Sequence, residues 1–172
     1  MDVGNSFGLV DTYLPLNIIA IRLLMAAIFG AMIGFEREIN TGAAGLRTHI
    51  LVSVAAALFT ILTFEIFHTI EVGSQGPQAD PIRAVEAVTA GIAFLGAGAI
   101  FRSGRNVQGL TTGAGMWLAG AVGLATALGF YIVAGMVALF AIIVLSALRV
   151  FAHKVLRHEI EVEAQSGRGE KP

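Results

Sequence analysis

Apolar positions along the chain gather into five runs, at residues 16–35, 48–67, 85–101, 111–128 and 130–150. Each approaches the roughly 17 to 25 apolar residues that a helix needs to cross a bilayer. The joints between them, at 36–47, 68–84, 102–110 and a bend near Gly129, are short and polar or glycine-containing. The pattern predicts an all-α polytopic membrane protein, a bundle of about five transmembrane helices. A 1–15 extracytoplasmic segment precedes the 16–150 transmembrane domain, and a short cytoplasmic tail covers 151–172. Within that tail the alternation Glu159, Ile160, Glu161, Val162, Glu163 suits a short strand.

Small residues then organise the runs. Gly91, Gly96 and Gly98 lead into Arg102 and Arg105, the chain turns through 106–109, and Thr111 and Thr112 reopen an apolar run. This reads as a helical hairpin with a charged turn, and the other spans are expected to pack around it. Ala26, Gly30 and Gly34 repeat every four residues in the first span, as do Gly115, Ala119, Gly123 and Ala127 in the fourth. Such stripes let helix backbones approach closely where lipid supplies no hydrophobic drive between them. Gly30, Gly34, Gly91, Gly96, Gly98, Gly115 and Gly123 are the expected packing positions.

Composition agrees with the pattern. Hydrophobic residues make up 56% and charged residues 13%, against about 25% charged in soluble domains. The absence of cysteine excludes disulfides, thiolate metal sites and a thiol nucleophile. No Lys or Arg precedes Arg22, so the first run lacks the basic region of a secretory signal and is expected to remain in the protein.

Charge distribution orients the bundle. Five spans place the basic residues Arg37, Arg47, Arg102, Arg105, Arg149, Lys154, Arg157, Arg168 and Lys171 on one face and only Arg83 on the other. The positive-inside rule then puts the amino terminus outside and the tail in the cytoplasm. Asp2, Asp11, Glu71 and Asp80 fall on the outer face.

Charges inside spans call for a reason, because they usually face a partner, the bundle interior or water. Arg22 lies about two turns into the first span, where it can snorkel outward or pair with Asp80 or Glu86. Arg22, Asp80, Arg83 and Glu86 are the candidate outer-face charges, with Glu65 and Glu71 suggesting an acidic vestibule. On the inner face, Glu36, Arg37, Arg47, Thr48, Arg102, Asn106, Thr111 and Thr112 form a candidate polar cluster. Thr48 is placed to cap the second span, and Glu36 to pair with Arg47 or Arg102. Anchoring alone explains the inner arginines but not Glu36.

Several chemistries find no support. GAGAIFRSGR lacks the GK[ST] ending of a phosphate-binding loop and follows a membrane helix rather than a strand. His49, His68, His153 and His158 form no HExxH pair. No catalytic constellation emerges, so no enzyme, cofactor or nucleic-acid partner is expected, and no metal site beyond weak magnesium binding at the outer carboxylates.

Five motifs in order, IGFERE at 33–38, AGLRTH at 44–49, DPIR at 80–83, GIAFLGAGAIFR at 91–102 and NVQGLTT at 106–112, followed by Trp117, resemble the membrane domain of the MgtC/SapB family. The resemblance covers about residues 18–148. It implies a multi-pass bacterial inner-membrane protein associated with adaptation to low magnesium and, in some members, with virulence. The motifs carry interest to Gly34, Glu36, Arg37, Gly45, Arg47, Thr48, Asp80, Arg83, Gly96, Gly98, Arg102, Asn106, Gly109, Thr111, Thr112 and Trp117. Two departures stand out. Gly113 replaces the Ala often found after the Thr pair, which is expected to loosen the start of the fourth span. The residues after 150 also offer only one short strand, so the soluble carboxyl-terminal domain of the longer members is expected to be missing and the shorter SapB-like members to be the nearer comparison.

Two functions follow as expectations. One is a non-enzymatic regulator of ion or energy homeostasis that docks another inner-membrane protein. The other is a small transporter or channel for magnesium or another ion, built as a homodimer with a polar route at its interface, closed two-fold dimers being the commonest oligomers.

Overall fold

A computed structural model describes residues 12–40, 44–73, 80–103 and 106–147. Within them lie helices α1 (Leu16–Asn40), α2 (Leu46–Gly73) and α3 (Pro81–Gly98), a hairpin of β1 (Phe101–Ser103) and β2 (Asn106–Gln108), and α4 (Leu110–Ala127). A further apolar helix, α5, spans Tyr131–Ala147. The molecule is an all-α membrane bundle. Leu16–Ile39, Leu46–Thr69 and Leu110–Ala127 are long and apolar enough to cross a bilayer. The tail, including 159–163, lies outside the described residues, as do Asp2, Asp11 and Arg105.

The helix boundaries differ from those read off hydropathy, for local reasons. α1 continues past Phe35 to Asn40 and so carries Glu36 and Arg37 as helical residues. α3 begins at Pro81, four residues before the apolar run, because Asp80 caps it by accepting the Ile82 amide at 2.9 Å and proline suits a first helical position. Its end retreats to Gly98, and Phe101 enters the hairpin instead. The antiparallel register pairs Phe101 with Gln108, Arg102 with Val107 and Ser103 with Asn106. Gly109 then takes the left-handed conformation, φ 83°, and leads into α4. A Cβ there would collide with the Ala99 carbonyl, so the turn needs glycine.

The centre is not the α3–α4 pair. α1, α2 and α4 pack together most extensively, and α3 leans on α4 and α2. Backbone contact explains the arrangement. A Cβ on Gly30 of α1 would stand 2.8 Å from the His49 carbonyl oxygen and the Ser53 Cβ of α2, and one on Gly34 would stand 2.8 Å from Leu46 Cα. From the other side, a Cβ on Gly123 of α4 would collide with the Ser53 carbonyl. Ser53 therefore sits where three backbones meet, and its hydroxyl donates to the Ala26 carbonyl at 2.8 Å. Ala26, Ala119 and Ala127 complete the buried stripes.

Bulk points the other way. Leu24, Phe35, Leu51, Phe59, Phe94 and Phe140 are exposed while the interior is rich in small residues, as expected where lipid, not water, surrounds the bundle. Gly91 and Gly98 belong to this outer surface: a Cβ at either would meet nothing within 4 Å. Inside one chain they are not close-packing positions, Gly91 instead lining an open groove between α2 and α3. Gly96 does pack, against Gly113 of α4.

Candidate functional site

At the end of the bundle where α1 meets α2 and α3 meets α4, three ionisable side chains are buried together. Glu36 and Arg37, in the last turns of α1, retain 6% and 4% exposure, and His49, one turn into α2, retains none. The Arg37 Nε lies 3.8 Å from a Glu36 carboxylate oxygen. Arg37 Cδ comes within 4.0 Å of the point a Cβ on Gly115 of α4 would occupy. α1, α2 and α4 thus each contribute one wall.

His49 is held in a defined protonation geometry. Its Nδ1 lies 2.8 Å from the Gly45 carbonyl oxygen. A carbonyl only accepts, so Nδ1 carries the hydrogen and Nε2 of the neutral ring carries the lone pair. Nε2 is buried and has no hydrogen-bond partner among the described residues. Its near neighbour is Gly115, where a Cβ would stand 3.0 Å away. An unsatisfied buried acceptor costs about 1–3 kcal/mol.

The entry to α2 is capped from α1, not by Thr48. A carboxylate oxygen of Glu38 accepts the Leu46 amide at 2.9 Å, and the same oxygen occupies the space a Gly45 side chain would need. Thr48 is half-buried one residue before His49. The remaining inner-face candidates divide by burial: Thr112 is buried, whereas Arg47, Arg102, Asn106 and Thr111 are exposed around the rim. The sequence places His49 at the inner face, at the end of the AGLRTH motif, but gives it no role. A single histidine in an apolar helix produces no periodic signal, and only its neighbourhood in space reveals it.

The opposite end uses its charges on helix termini. Arg22 of α1 donates from a guanidinium nitrogen to the carbonyl of Ala127, the last residue of α4. A cation there complements the negative end of the helix dipole. Its expected pairing with Asp80 or Glu86 is replaced by this main-chain acceptor. Glu65 of α2 accepts the Tyr13 amide at 2.6 Å and the Leu14 amide at 2.9 Å, one on each oxygen. Instead of lining an acidic vestibule with Asp80, it holds the entry to α1. The Tyr13 and His68 rings pack beside it, tilted by 40° with centroids 3.9 Å apart. Arg83 and Glu86 are exposed on α3. Among the described residues, no three metal-ligating side chains stand together.

The concavities are apolar. A groove of about 350 Å³ between α2 and α3 is lined by residues including Val52, Phe59, Gly91 and Leu95. Another of about 220 Å³ lies among α1, α4 and α5, between Ile33, Gly115, Phe140 and Leu145.

Among the described residues, three helices long and apolar enough to span a bilayer, a shorter apolar helix, exposed apolar bulk and a buried charge cluster at one end define a multi-pass membrane protein. Residues 23–154 match the MgtC family, and the chain belongs to that family. Over 135 residues it is 40% identical to Protein MgtC of Brucella abortus (strain 2308), covering 78% of this chain and 53% of the relative. It is 38% identical over 112 residues to the putative magnesium transporter YhiD of Escherichia coli (strain K12), covering 64% and 51% respectively. Protein MgtC of Salmonella typhimurium is 38% identical over 109 residues, 63% of this chain and 43% of that one. The chain spans about half the length of these curated relatives. No solved structure matches it.

Proposed function

We propose that this protein is a non-enzymatic regulator of ion or energy homeostasis when magnesium is scarce, acting through contacts with other proteins of the bacterial inner membrane. The magnesium link rests on the family and on the name of the Escherichia coli relative. In this reading the amino terminus faces outward and the buried cluster lies toward the cytoplasm, as the arginine distribution favours. The observation that carries regulation over transport is how the interior is filled. Backbones meet at Gly30, Gly34 and Gly123, while Arg22 and Asp80, two of the three outer charges a polar route would use, serve helix termini, and the third, Glu86, is exposed on α3.

Flux separates the readings. Purified chain in proteoliposomes is expected to move neither magnesium nor phosphate, and membrane proteins are expected to co-purify with it from magnesium-starved cells. Saturable flux lost in Glu36→Gln would overturn regulation. The buried charges of Glu36 and Arg37 are what favours that second reading, a small transporter, since intramembrane charge commonly marks an ion path.

A further inference from the structure

We propose that His49 is a proton-binding site whose occupancy opposes the docking of α4 against α1 and α2. The neutral ring spends its only N–H on Gly45 and turns a bare lone pair toward Gly115. Glycine at 115 leaves room for that lone pair and little more, because even a methyl carbon would stand 3.0 Å from Nε2. A proton arriving at Nε2 would put an N–H donor into a space whose nearest wall is the α4 backbone at a residue with no side chain to accept it.

The charged surroundings work in the same direction. Arg37 of α1 flanks the same point, with Glu36 beside it. From the last turn of α1, Glu38 faces the Gly45–Leu46 backbone. Arg47 of α2 and Arg102 of the hairpin are exposed at the rim. α4 contains no ionisable residue, Arg83 and Glu86 lie at the far end of α3, and the described part of α5 has only Tyr131, at the far end as well. With the proton bound, an imidazolium would stand beside the Arg37 guanidinium, and like charges in a dry site disfavour one another. Moving α4 outward admits water and relieves both problems. Proton and docked helix therefore exclude each other. The hairpin at Asn106–Gln108, joined directly to α4, would move with it. Such a linkage would operate whether the bundle regulates a partner or carries an ion.

The chain has no cysteine, so a label pair can be introduced cleanly. Spin labels at Ile39→Cys and Leu110→Cys, both exposed positions at this end, report the separation of α1 and α4 in the full chain reconstituted in nanodiscs. Measurements at about pH 8 and about pH 5 bracket the range in which an imidazole ordinarily changes charge. On acidification the mean separation is expected to lengthen by on the order of 2 Å, the scale of a helix shift. His49→Gln, which can still donate to Gly45, should abolish the response, and Gly115→Ala should show the longer separation already at the alkaline pH. No change in the parent, an undiminished change in His49→Gln, or a parent-like separation in Gly115→Ala would each overturn the proposal. Should His49→Gln fail to fold, nitrogen NMR of the ring decides, in a chain with His68, His153 and His158 replaced by Gln. Nδ1–H with bare Nε2 at alkaline pH, protonating on acidification, is expected; the opposite tautomer, or a ring that stays neutral throughout, would refute it.

Discussion

Gly113 stands where the backbones of α3 and α4 touch. A Cβ at this position would come 2.8 Å from the Gly96 carbonyl oxygen and 3.3 Å from Ile100 Cδ1. The expectation that this glycine loosens α4 is thereby reversed, since it allows α3 to settle closer than alanine would. Gly113→Ala should therefore force α3 outward and lower stability by about 1–3 kcal/mol, the usual result of overpacking, read as an earlier thermal transition in detergent. Gly91→Ala, open to its surroundings, is the matching control and should change the same transition by no more than about 0.5 kcal/mol. Arg22 makes a different kind of contribution, through charge and a hydrogen bond to the Ala127 carbonyl. Arg22→Met keeps a long apolar stem but loses both, and should cost about 0.5–2 kcal/mol in a denaturant titration.

Three helix ends in this bundle are closed by side chains of other helices. Glu38 of α1 serves the start of α2, Glu65 of α2 the entry to α1, and Arg22 of α1 the end of α4. Glu65→Ala should leave α2 intact and release the segment ahead of α1, seen as faster hydrogen exchange at the Tyr13 and Leu14 amides. The helices themselves were legible, because twenty-odd apolar residues in lipid have few alternatives to a helix. Their termini were less so. Asp80 directly before Pro81 is a local signal that a sequence carries, but Glu65 and Leu14 are 51 residues apart and no local pattern joins them. The β1–β2 hairpin also escaped notice, its strands being only three residues each.

For the molecule as a whole, glycine density pointed to the wrong pair of helices. Gly91, Gly96 and Gly98 crowd one helix, yet Gly91 and Gly98 touch no neighbouring helix closely, while the more regular stripes of α1 and α4 make the centre. Spacing shows that a face is small; it does not show what lies against it. The buried cluster was half legible for the same reason: Glu36 stood out as a misplaced charge, and His49 became visible only through its neighbours across α1 and α4. Orientation can be checked directly. A thiol reagent confined to the outside of intact cells should label Glu86→Cys and spare Asn106→Cys, which becomes reactive after permeabilisation; the reverse pattern would invert the bundle. The Arg22 contact also sets a timetable. Its acceptor lies 105 residues downstream, so on the ribosome the carbonyl at the end of α4 emerges on the order of ten seconds after Arg22 at ordinary synthesis rates. Until then the arginine has a charge and no resting place within the bilayer. α1 is thus made well before the helix end that finally receives its charge.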